Sequence, residues 1–131
     1  ATMGDVSFEP FEQLGEFISY ATSTPTEARE RVKDADVVMI NKVIVNKELI
    51  DAAPSLKLIC VAATGVNNID VDYAASKGIP VRNVAGYSTD SVAQSTFMHI
   101  LSLAGGAPYF DNSVKSGNYS RSGMFTKRHV Y

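Results

Sequence analysis

One cysteine in 131 residues rules out an internal disulfide and fits a reducing compartment, so a cytoplasmic location is expected. Cys60 lies in the apolar run LKLICVAA with no basic partner in view. It reads as a small buried hydrophobe, not a nucleophile. Long hydrophobic runs are missing as well. The longest apolar helical stretch, Phe97 to Ala104, falls far short of the roughly 20 residues that span a bilayer. The opening ATMGDVSFEP carries an acid and no basic segment, so it does not read as a signal peptide. Charge of one sign is not in excess: 12 basic and 14 acidic residues give a net −2 and a pI near 5.6. Neither nucleic acid nor a membrane is expected as a partner. Histidine is scarce. His99 lies among Phe97, Met98, Ile100 and Leu101, as a packed or interface residue would, and His129 belongs to the basic Lys127-Arg128-His129. Neither has acid–base or nucleophile-type spacing to a carboxylate, and no His/Cys/Asp cluster resembles a metal site.

What is present is an ordinary globular composition, 45% hydrophobic and 20% charged, in a length that suits one domain. No repeat or low-complexity tract divides it. A short helix is predicted over Phe11 to Leu14 and a strand over Glu16 to Thr22. Thr24-Pro25-Thr26-Glu27 then opens a helix to about Lys33: Thr24 caps, Pro25 fits the first turn, and Glu27 completes a capping box. Asp36 to Asn41 reads as a buried strand. Asn46 caps a helix from Lys47 to Ala53, closed by Pro54. Leu56 to Ala62 is apolar throughout, which argues for a parallel strand covered on both faces. Asp70 caps a short helix through Lys77, Gly78 supplies a left-handed exit, and Ile79 to Val84 is the next strand. Ser88 or Thr89 begins a long helix to about Leu103, and the tail from Ser116 looks like an unpacked connector. Strands alternating with helices in short units predict a doubly wound, parallel α/β domain.

Ligands of such sheets bind outside the carboxyl ends of the strands, where two turns qualify. In Ala63-Thr64-Gly65-Val66-Asn67-Asn68, Gly65 allows close backbone approach and successive amides can hold an anion such as a carboxylate. The plainer reading is that Gly65 makes the turn and the asparagines hydrogen-bond it. In Ala85-Gly86-Tyr87-Ser88-Thr89-Asp90, a helix N-terminus favours anions, and Tyr87 either offers its hydroxyl to a ligand or packs at a strand end. Gly105-Gly106 follows a helix where a dinucleotide fingerprint must follow a strand, so with Pro108 it reads as a helix break.

These residues carry a resemblance. Leu56 to Tyr119 is similar to the substrate-binding domain of the NAD-dependent D-isomer-specific 2-hydroxyacid dehydrogenases, in particular their glycerate dehydrogenase (hydroxypyruvate reductase) and D-lactate dehydrogenase branches. G-V-x-N-I-D stands at Gly65 to Asp70 and G-I-x-V-x-N at Gly78 to Asn83. N-V-x-x-Y-S spans Asn83 to Ser88, V-A-Q spans Val92 to Gln94, and Lys115-Ser116-Gly117-Asn118-Tyr119 follows in order. Asn67, Ser95, Tyr119 and Gly105-Gly106 depart from the usual pattern, and residues 1–55 match only in general character.

The resemblance implies a flavodoxin-like substrate domain over residues 1–104, including the start of an interdomain helix. Residues 105–131 would form a helix and connector arm toward a Rossmann cofactor domain beyond this chain. It implies that amides around Thr64 and Gly65 bind the carboxylate of a small 2-oxo or 2-hydroxy acid. Tyr87 would lie beside that substrate and Thr96 near the nicotinamide of NAD. The family's catalytic arginine, glutamate and histidine are expected beyond Tyr131, so neither His99 nor His129 inherits a role and the chain alone should be inactive. A homodimer is the expected assembly. The competing expectation is a non-catalytic α/β ligand-binding or interaction module.

Overall fold

Helix caps and apolar alternation produce most of the expected elements in the computed structural model, which describes residues 6–123. The chain divides into two units, residues 1–86 and 87–131.

In the first unit, α1 spans Glu9–Glu12 and α2 spans Pro25–Arg31. They are followed by β1 at Val37–Ile40, α3 at Lys47–Asp51 and β2 at Leu58–Val61. The unit closes with α4 at Val71–Ser76 and β3 at Val81–Asn83. Side chains start three of these helices as the sequence foretold. Thr24 Oγ1 accepts from Glu27 N at 3.3 Å while Glu27 Oε2 accepts from Thr24 N at 2.8 Å, completing the capping box of α2. Asn46 Oδ1 and Asp70 Oδ1 cap α3 and α4 through the amides of Leu49 and Tyr73. Gly78 leaves α4 at φ +73°, where only glycine is at ease.

The sheet is three-stranded and wholly parallel in the order β1-β2-β3. Val38, Ile59 and Val81 stand in register, as do Met39, Cys60 and Arg82. Right-handed crossovers that step in one direction put α3 and α4 on the same face. That face holds the core, in which Ile59, Val45 and Val61 are fully buried beside Leu49, Ile50, Ala53 and Ala74. Burying one such side chain is worth roughly 1.5–3 kcal/mol.

The opposite face corrects an expectation. β2 was expected to be covered on both sides, but Leu58 and Cys60 are only half-buried and their neighbours Val37 and Met39 are exposed. Continuous hydrophobicity in β2 therefore reflects a fully buried side and a partly open one. A second correction concerns Glu16 to Thr22, which forms no strand. A strand needs a partner edge and a shared buried face. Here Phe17 packs against Phe8 and Phe11, with ring centroids 5.2 and 5.7 Å away. Tyr20 lies under the Arg31 guanidinium at 3.9 Å, and Arg31 Nη1 donates to the Thr22 carbonyl at 2.8 Å. Local partners have taken the groups a sheet would use.

In the second unit, α5 spans Thr89–Ala104, α6 Ala107–Lys115 and α7 Asn118–Ser122. The expected break is present: α5 ends at Gly105, Gly106 adopts φ +66°, and Pro108 lies in the first turn of α6. The tail differs from expectation, since α7 forms within it behind Gly117 at φ +73°. No residue of α5 is buried, and His99 is exposed on it. His129 lies outside the described residues. Among the described residues no helix is long and apolar enough to cross a membrane.

Candidate functional site

The turn after β2 is one of the places where polar backbone is left over. Among the described residues, the amides of Thr64, Gly65, Val66 and Asn67 donate to no protein acceptor. Thr64, Gly65 and Asn67 are exposed and Val66 is half-buried, so a ligand can reach the turn. Gly65 is not in the left-handed region, and a Cβ built on it would stand 3.0 Å from Asn67 Oδ1. The structure thus gives Gly65 no left-handed φ, only a tight space beside Asn67.

Both neighbouring strands hold this turn. From β3, Asn83 Nδ2 donates to the Thr64 carbonyl at 2.7 Å, Thr64 Oγ1 donates to the Val84 carbonyl at 3.3 Å, and Val84 N donates to the Ala63 carbonyl at 3.1 Å. From the loop after β1, Asn41 Nδ2 donates to the Ala62 carbonyl at 2.8 Å. Asn68 Nδ2 reaches back to the carbonyls of Val43 at 2.8 Å and Asn41 at 3.2 Å. Asn41 and Asn83 were not singled out from the sequence. Asn41 directly follows β1 and Asn83 is the last residue of β3, so each stands at a carboxyl strand end, the signal that would have found them.

Tyr87 and Thr96 belong to the second unit. Tyr87 is 65% exposed and its hydroxyl makes no hydrogen bond among the described residues, which sets aside the packed alternative. Thr96 is exposed on α5 and donates its hydroxyl hydrogen to the Val92 carbonyl at 2.8 Å. Its oxygen is thereby left as an acceptor.

The displaced ionisations lie away from the turn. Hydrogen bonds from the Thr24 backbone and hydroxyl, then the Arg31 charge, hold Glu27 below the usual carboxylate range. The Tyr73 hydroxyl and then Lys77 lower Asp51, which in turn raises Lys77; Asp36 raises Lys57. These are exposed structural pairs. An open apolar groove lined by Val71, Ala75, Gly78, Ile79, Pro80 and Val81 lies at the amino end of β3, and none of its side chains is a partner for a polar ligand. Among the described residues no group of histidine, cysteine and acidic side chains could hold a metal.

The model of the D-isomer specific 2-hydroxyacid dehydrogenase catalytic domain matches residues 2–128. The chain belongs to this family. Hydroxypyruvate reductase of Blautia hydrogenotrophica is 34% identical over 119 residues, covering 88% of this chain and 37% of that protein. Glycerate dehydrogenase of Methylorubrum extorquens is 34% identical over 122 residues, covering 92% of this chain and 39% of that protein. D-Lactate dehydrogenase from Aquifex aeolicus, solved as a complex with NAD and lactic acid, matches with a TM-score of 0.65 at 30% identity. That match covers 79% of this chain and 30% of the other. The 2-hydroxyacid dehydrogenase resemblance read from the motifs is thus borne out. This chain spans less than two fifths of the length of these relatives.

Proposed function

We propose that this chain forms the substrate side of an NAD-dependent oxidoreductase that interconverts a small 2-oxo acid and a D-2-hydroxy acid. The observation that carries the reading is the run of unpaired amides from Thr64 to Asn67 beyond the carboxyl end of β2, leading into the family's G-V-x-N-I-D motif at Gly65. Amides aimed at a carboxylate are a pre-formed anion site, worth more when their own chain has no competing acceptor. Thr64 and Gly65 bind the carboxylate, and a substrate contact is assigned to the free hydroxyl of Tyr87 on the family resemblance alone.

NADH, when bound, supplies the hydride that reduces the carbonyl carbon. Thr96, whose hydroxyl hydrogen is committed to Val92, would accept from the nicotinamide amide of that cofactor. The proton donor, its carboxylate partner, the arginine and the phosphate-binding loop are assigned to the larger share of the relatives' length that this chain does not match. Residues 1–104 then act as the substrate domain with the start of the interdomain helix, and residues 105–131 as the connector. We also assign the cytoplasmic enzyme a homodimeric state. The apolar residues Phe97, Met98, Ile100, Leu101 and Leu103 of α5 are exposed, surface that a second copy or the protein's remaining share would cover.

The test is NADH oxidation by the whole protein with hydroxypyruvate, pyruvate and glyoxylate. Turnover of at least one is expected, and none by the 131-residue chain alone. Failure with every 2-oxo acid overturns the reading. Sedimentation of the whole protein as a monomer overturns the dimer.

A further inference from the structure

The unpaired amides of Thr64 to Asn67 are flanked by residues that both answer to one loop. On the leading side, Ala62 gives its amide to the Ile40 carbonyl and its carbonyl to Asn41 Nδ2, each at 2.8 Å. On the trailing side, the Asn68 carbonyl accepts from Val45 N at 2.8 Å, and the Asn68 side chain spans the carbonyls of Asn41 and Val43. Val45 and Ile69 then form an isolated parallel bridge. The loop after β1 therefore holds both ends of the turn.

We infer that Asn68 and Asn41 are positioning residues for carboxylate binding, a role that rests on the function proposed above. A primary amide donates two hydrogens from one nitrogen, as Asn68 does here to the carbonyls of Asn41 and Val43. A turn fixed at both ends presents its N–H groups without being ordered by the ligand, and that preorganisation appears as affinity. Aspartate at 68 keeps the size and loses the donors. Serine keeps one donor.

The experiment is a titration of the isotope-labelled whole protein with pyruvate, following the backbone amides of the turn by NMR, with a thermal melt of each variant. In the wild type the amides of Thr64 to Asn67 shift saturably. Asn68→Ala and Asn68→Asp each weaken pyruvate about tenfold and Asn68→Ser weakens it less, while Asn41→Ala repeats the loss from the other end. Thr24→Ala, which removes a distant helix cap, lowers the melting temperature and leaves pyruvate affinity unchanged. Binding within twofold of wild type in the folded Asn68 variants overturns the positioning role alone. An equal loss in Thr24→Ala also overturns it, because general destabilisation would then suffice. No shift of the turn amides in the wild type overturns the carboxylate site and the positioning role together.

Discussion

Asn83 Nδ2 and the Thr64 carbonyl oxygen, 2.7 Å apart, join the end of β3 to the turn that follows β2. The bond consumes a carbonyl that would otherwise face the same solvent as the neighbouring free amides. It thereby removes a repulsive oxygen from the approach of an anion. Asn83→Ala is expected to cost about 1 kcal/mol, the net worth of a hydrogen bond in an exposed setting. Asn83→Asp should cost more, since it sets a carboxylate against that carbonyl. A urea midpoint shift at unchanged m-value is the measurement, and equal midpoints for all three proteins would refute it.

Gly65→Ala should separate binding from stability. The backbone there lies outside the left-handed region, and the added methyl meets only the end of the exposed Asn67 side chain, at 3.0 Å. Unfolding free energy should change by no more than about 0.5 kcal/mol. Pyruvate affinity at the turn should fall several-fold, because the methyl crowds the amides. Unchanged affinity measured by the same amide shifts would count against close approach as the reason for glycine.

Gly78 offers the opposite case. It adopts φ +73°, and nothing lies within 4 Å of a Cβ built on it. The cost of Gly78→Ala is thus purely a backbone cost, about 1–2 kcal/mol. Gly78→Asn should lose less, since asparagine tolerates the left-handed region. Thermal melts rank the three, and an alanine variant as stable as the wild type would contradict the assignment.

Acid should loosen α3 from α4. Asp51 Oδ1 accepts from the Tyr73 hydroxyl at 2.7 Å and meets Lys77 Nζ at 3.0 Å, which lowers the carboxyl and raises the ammonium. A depressed carboxyl contributes stability above its unfolded pKa and loses it as pH falls through the folded value. A raised ammonium contributes below its unfolded pKa and loses it as pH rises through the folded value. The stability gap between wild type and Asp51→Asn should therefore be widest around neutrality and close in acid. A gap that stays constant down to the acid limit would exclude the carboxylate as its source.

Caps and periodicity made much of this fold readable. Thr24, Asn46 and Asp70 each announced a helix by local chemistry, and each helix begins there. Glu16 to Thr22 misled because a strand is defined by its neighbour, and local pattern did not show that Phe17 would pack on Phe8 and Phe11 or that Tyr20 would lie under Arg31. β2 was legible as parallel but not as one-sided, since an apolar side chain looks the same whether or not something covers it. Gly65 declared the turn by its motif. Asn41 and Asn83 gave only a weak cue, because an asparagine at a strand end can serve the loop, a ligand or solvent.

The open side of the sheet has a chemical consequence of its own. Met39 and Cys60 are cross-strand partners there, one exposed and the other half-buried. Two oxidisable sulfur atoms thus belong to an apolar stripe that solvent reaches without any unfolding. Peroxide would turn Met39 into a polar sulfoxide and carry Cys60 toward a sulfenic acid while the helices on the other face stay in place. Mild oxidation would then change the wetting of one surface of the sheet and spare its architecture.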